Sequence, residues 1–239
     1  MLSVAKWILL PVSLFGTLDN TVNSIEMGES SADAPILYWP MKSEFGHSAE
    51  EMANLIAAKT DKLFMLAAFE VDEWNSELSP WPAQEETGND EFSGNGPSLL
   101  TWLLEDYIPS VEGSRSRIRA IGGYSMAGLF AAWAFLESDA FSAVASCSGS
   151  LWYPGWLAWA SEHQAPRDSF AFLSLGTKEY RVKNPLVATV EAATLETADL
   201  FASDSNVCNS TFEWNPGGHF TDPNGRMAAG FAWLIDRLS

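Results

Sequence analysis

Short apolar runs alternate along this chain with stretches of helical periodicity, and few architectures accept that rhythm. Runs at 35–39, 62–71, 118–124, 141–146, 170–175 and 211–214 have the length of strands, and helical patterns lie at 49–58, 98–107, 126–137 and 227–237. Parallel strands need crossover connections that cover both faces of their sheet. The alternation therefore predicts an α/β fold, a mostly parallel central sheet with helices on both faces. The 239 residues are 47% hydrophobic, enough for one sizeable core, and no repeat or charge run divides them. Residues 1–239 read as a single domain. Segments 28–34 and 84–97, rich in Ser, Gly, Asn and acidic residues, read as surface loops.

Charge narrows the partners. Asp and Glu total 31 against 13 Lys and Arg, a formal charge of -18, and a surface of that sign repels phosphate backbones and anionic lipid. Nucleic acid is excluded as a partner on this ground. Cys147 and Cys208 are too few for a disulfide scaffold and lack metal or redox spacing. Three scattered histidines give no tetrahedral ligand set either, so no metal is expected. The apolar run 7–15 after Lys6 imitates the core of a signal peptide, but Pro11 interrupts it and no small-residue cleavage site follows. It reads as a buried early strand. No stretch approaches the roughly 20 apolar residues of a membrane-spanning helix, and the expected compartment is the cytoplasm.

In such sheets ligands bind beyond the carboxyl ends of the strands, so chemistry is sought in the loops that follow them. One strand end stands out: Ile121-Gly122-Gly123-Tyr124-Ser125-Met126-Ala127-Gly128, running at once into the apolar helix Leu129-Phe130-Ala131-Ala132-Trp133. A serine in a sharp strand-to-helix turn projects its hydroxyl at the top of the sheet, and the turn is so tight that its neighbours must be small. Gly123, Ala127 and Gly128 meet that demand, although Ala127 stands where the strict pattern has its second glycine. The unpaired N–H groups at the helix start, Met126 first, favour a developing oxyanion beside Ser125.

Serine needs a base, and histidine is the usual one. His47 at a helix start and His163 in a polar segment read as bystanders, whereas His219 follows the last strand in Pro216-Gly217-Gly218-His219. A carboxylate must orient the imidazole. Glu179 is best placed, leaving its strand through Leu175-Gly176-Thr177-Lys178, with Asp199 and Asp204 as reserves.

These features together resemble the esterase family of the α/β-hydrolase superfamily that includes esterase D and the enterobactin esterases. The matching stretches are 121–129, Ser146-Cys147-Ser148-Gly149-Ser150-Leu151-Trp152, 175–179 and Gly217-Gly218-His219, which span most of the chain. The resemblance implies an α/β-hydrolase fold and cofactor-free serine hydrolysis of carboxylic esters or thioesters. Ser125 and His219 would form the dyad, with Glu179 where members often place the acid. The family also contains acyltransferases, and a catalytically silent binding module is a third reading. Many relatives carry His-Gly after the first matching strand, where this chain has Trp39-Pro40-Met41. Pro40 has no N–H to give, which leaves Met41 as the second oxyanion donor. Among eleven tryptophans, Trp39, Trp152 and Trp156, with Tyr153, follow predicted strands and are candidates to wall a substrate pocket. The stretch 151–156 serves either that end or a plug over the sheet. Segments 72–75 and 79–82, which hold Trp74 and Trp81, form a candidate rim or lid.

Overall fold

Six strands form one sheet in the order β2-β1-β5-β6-β7-β8, every neighbouring pair parallel. They are β1 (Ile36–Met41), β2 (Met65–Glu70), β5 (Arg119–Tyr124), β6 (Ala143–Cys147), β7 (Ser169–Gly176) and β8 (Val207–Asn215). A computed structural model describes residues 34–45, 48–84 and 91–239 of the chain; the apolar run 7–15, most of the loop 28–34 and His47 lie outside them. Two short strands, β3 (Pro82–Gln84) and β4 (Glu91–Ser93), pair antiparallel; β4 lies inside the segment 84–97 expected to be a loop, and β3 ends at its first residue. The sequence conceals them because each is only three residues long.

The helices are α1 (Ala49–Ala57), α2 (Trp74–Glu77), α3 (Gly96–Trp102), α4 (Ile108–Glu112), α5 (Met126–Glu137), α6 (Trp156–Ala160), α7 (Val190–Ser203) and α8 (Pro223–Leu238). A π-helical turn over Leu103–Tyr107 joins α3 to α4, so the expected helix runs longer than its apolar pattern. Strand β8 also begins earlier than expected. Cys208 and Asn209 are exposed on this edge strand and carry no apolar signal.

Alternation along β1 builds two cores. Ile36 and Tyr38 pack with α3, α5 and α7 on one face, while Leu37, Trp39 and Met41 pack with α1 and α8 on the other. Helix α5 is buried from Met126 to Leu136, so its apolar residues run all round it. The strand order reverses direction between β1 and β5, which opens a crevice beyond their carboxyl ends. Ser125 follows β5 at that crevice.

Candidate active site

The turn between β5 and α5 holds Ser125 at φ +58°, ψ -123°, a conformation that L residues rarely adopt. Such backbone costs about 1–3 kcal/mol and persists only where its surroundings over-determine it. Here the Ser125 N–H donates to Cys147 O at 3.3 Å, and its carbonyl accepts from the N–H groups of Gly128, Leu129 and Ser150 at 3.0, 3.1 and 3.0 Å. The small residues are a steric necessity. A Cβ on Gly123 would meet Ala127 Cβ at 2.5 Å, and one on Gly128 would meet Gly149 Cα at 2.9 Å.

The Ser125 hydroxyl donates to His219 Nε2 at 3.1 Å, and His219 Nδ1–H donates to Glu179 Oε2 at 2.8 Å. Three residues separated by 94 and 40 positions thus form one hydrogen-bonded line. Cys147 is no rival nucleophile, since burial pushes its thiol up to about 12. The reserve acids are elsewhere: Asp204 accepts the N–H groups of Ala165 and Asn206 at 2.7 and 2.9 Å, and Asp199 is exposed on α7. His163 stacks on Trp159 and gives its Nδ1–H to the Trp159 carbonyl at 2.7 Å.

Behind Glu179 stands Arg226, in the first turn of α8 and 3% exposed. Glu179 Oε1 accepts from Arg226 Nη1 at 2.9 Å, from Ser148 Oγ at 2.7 Å and from Gly176 N–H at 2.7 Å. Arg226 also donates to Tyr124 OH and to the carbonyls of Pro216 and Gly218, at 3.0, 2.8 and 3.0 Å. Tyr124 in turn donates to the His219 carbonyl at 2.6 Å. Burial pushes the Glu179 carboxyl up, yet the hydrogen bonds from His219 and Ser148, the His219 charge and the Gly176 amide outweigh it and hold it below its ordinary value. The sequence offered one signal for Arg226, a cation in a first helical turn, where it opposes the helix dipole. Arg226→Met should leave the buried Glu179 carboxylate without its cationic partner and take a donor from the carbonyls of Pro216 and Gly218. We expect a loss of about 3–5 kcal/mol in urea unfolding, the cost of breaking a buried pair. An unchanged midpoint would show that the network carries no such weight.

Beside Ser125 lies a cavity of about 470 Å³ lined by Phe45, Trp74, Asn75, Tyr124, Ser125, Met126, His219, Phe220 and Pro223. Met126, first residue of α5, keeps an N–H without an intrahelical partner at this wall. Met41 does not join it. The β1–β2 ladder ends with Val71 N–H on Met41 O, and its register turns the Met41 N–H towards Phe69 of β2, away from the elbow. The next N–H, that of Lys42, alternates to the β5 side.

None of Trp39, Trp152, Tyr153 and Trp156 lines the cavity. Trp39 is buried on the α1/α8 face by the strand alternation. Tyr153 donates its hydroxyl to Trp81 O at 2.6 Å, and Trp156 donates Nε1–H to Thr197 Oγ1 at 2.8 Å. Trp152 sits edge-on to Phe92. This stretch packs the sheet top against the β3–β4 hairpin and α7, so it plugs rather than walls. Trp74, from the segment expected to be a rim, does reach the cavity, together with Phe45 and Phe220.

Among the described residues no group of three or more His, Cys, Asp or Glu could hold a metal ion, and no helix is long and apolar enough to cross a membrane. No protein-family model matches the chain, and no curated protein matches it in sequence. Solved structures do match its fold. A siderophore hydrolase, EstA, from Aspergillus nidulans superposes with a TM-score of 0.71 at 18% identity, over 89% of this chain and 86% of that one. An IroE-like serine hydrolase from Shewanella oneidensis gives 0.72 at 17% identity, over 86% of this chain and 72% of its own. The enterobactin esterase Fes from Shigella flexneri gives 0.60 at 17%, over 87% and 54%. The likeness, with the parallel sheet, shows an α/β-hydrolase fold.

Proposed function

We propose that this protein is a serine hydrolase that cleaves carboxylic esters or thioesters through an acyl-enzyme on Ser125. The observation that carries the reading is the unbroken line Ser125 Oγ, His219, Glu179 at 3.1 and 2.8 Å, set at a helix N-terminus beside an open cavity. Ser125 Oγ attacks the acyl carbon while His219 Nε2 takes its proton, and Glu179 holds the imidazole and stabilises the imidazolium. The Met126 N–H receives the oxyanion. His219 returns the proton to the departing alcohol, and a water activated by the same nitrogen then releases the acid. Arg226, which does not line the cavity, is a positioning residue that fixes the acid and the histidine loop, and Tyr124, from the cavity wall, holds the His219 carbonyl. The names of the similar structures, a siderophore hydrolase, a serine hydrolase and an enterobactin esterase, support hydrolysis of a small-molecule ester. The acidic charge speaks against a nucleic-acid partner. One domain over 1–239 and a cytoplasmic location complete the reading.

The test is covalent labelling. A fluorophosphonate should label the native protein at one site and block hydrolysis of p-nitrophenyl esters in parallel. A folded protein that resists the probe and leaves those esters intact is a silent hydrolase fold, and one that labels but turns over only with an added alcohol acceptor is an acyltransferase.

A further inference from the structure

Phe220 directly follows the histidine, yet the residue is 91% exposed. The main chain on either side of it is held in place. The carbonyls of Pro216 and Gly218 are held by Arg226 and that of His219 by Tyr124, and Thr221 N–H donates to Gly218 O at 3.1 Å. Drawing this main chain inward would break bonds to buried donors, a change that costs more than an ordinary surface rearrangement, so the Phe220 Cα keeps its place at the cavity rim. The ring is therefore presented at the cavity mouth, its centroid 5.2 Å from that of His219 and nearly perpendicular to it. An apolar ring that stands in water beside a cavity gains free energy when a ligand covers it.

Resting on the ester-hydrolase reading above, we propose that Phe220 is the specificity residue on the leaving-group side, and that the preferred substrate is an uncharged ester whose alcohol carries a flat apolar group. The chemistry fixes the side. As the Ser125 Oγ–acyl bond forms and the acyl–oxygen bond breaks, the Ser125 proton passes through His219 Nε2 to the alcohol oxygen. That oxygen must come within hydrogen-bond reach of Nε2, so its substituent lies on the His219 flank, where Phe220 and Pro223 line the cavity. His219 follows β8, on the far side of Ser125 from β1 and β2. Phe45 and Trp74 follow β1 and β2, touch edge-on at 5.4 Å, and face the acyl part instead. Among the described residues no Asp, Glu, Lys or Arg lines the cavity, and a net charge of -18 disfavours an anionic alcohol.

The test compares benzyl, n-hexyl and carboxymethyl acetates on the full chain. They share an acyl group, so a change in chemistry alone cancels from their kcat/KM ratios. Benzyl acetate should exceed hexyl acetate by about tenfold, the scale of one ring-on-ring contact. Phe220→Ala should bring that ratio near one and Phe220→Trp should keep it. Trp214→Ala, which removes a half-exposed ring outside the cavity, should also keep it. An unchanged ratio in Phe220→Ala, no benzyl preference in the native protein, or a preference for the anionic ester would overturn the proposal alone. Absence of both hydrolysis and fluorophosphonate labelling would overturn the ester-hydrolase reading, and this proposal with it.

Discussion

Replacing Ser125 with alanine is expected to remove fluorophosphonate labelling and to cut ester hydrolysis by roughly 10³-fold or more, while the protein still folds. The fold should survive because the bonds that hold the elbow are made by the Ser125 main chain, to Cys147, Gly128, Leu129 and Ser150. The side chain contributes only its bonds to His219 and, at 3.4 Å, to Ser150 Oγ. Alanine keeps the Cβ and the same backbone strain, so far-ultraviolet circular dichroism and the unfolding midpoint should stay close to native. Activity that persists with a native midpoint would move the nucleophile elsewhere. Ser150 is then the first residue to test, since its hydroxyl lies 3.4 Å from that of Ser125.

What the sequence revealed and what it hid divide along physical lines. Strands β1, β2, β5, β6 and β7 were legible because strands buried on both faces are continuous apolar runs, and Ser125 because a tight strand-to-helix turn demands small residues in a recognisable order. His219 and Glu179 were legible because their loops leave strands at the same edge of the sheet. The pocket wall was not legible. Trp39 and Trp74 both follow the sheet upward, but whether a ring reaches the crevice depends on which face its strand position selects, and Trp39 falls on the α1/α8 face. Met41 failed as a donor for a related reason. A parallel ladder points alternate N–H groups to opposite neighbours, and no composition signal says which neighbour lies there. Arg226 was hidden because its five partners come from segments up to 102 positions away, joined only by the tertiary fold.

Glu179→Gln should lower kcat on the order of 10⁴-fold, a loss comparable with that of the nucleophile. Oε1 of residue 179 accepts from Arg226, Ser148 and Gly176, three donors that select the carbonyl oxygen of a glutamine. The amide nitrogen then faces His219 Nδ1, where the native oxygen accepts at 2.8 Å. Two donors cannot meet, so the imidazole must offer a lone pair at Nδ1 and carry its proton on Nε2. That proton points at Ser125 Oγ, and the nitrogen that should accept the serine proton can no longer do so. Stability should change as well, with a sign set by pH. Because the native fold holds the Glu179 carboxyl below its ordinary value near 4.5, ionised Glu179 stabilises the fold above that value, and the contribution is lost as pH falls through the lowered folded value. Glu179→Gln should therefore be less stable than the native protein at neutral pH, and the gap should narrow in acid. Urea unfolding at pH 7 and below pH 4 measures that gap, and kcat on a p-nitrophenyl ester at a temperature where both proteins are folded measures the tautomer effect. A variant with near-native kcat would remove Glu179 from the mechanism and leave Ser125 and His219 as a dyad, whereas a large loss with a native fold is what a misdirected imidazole proton produces.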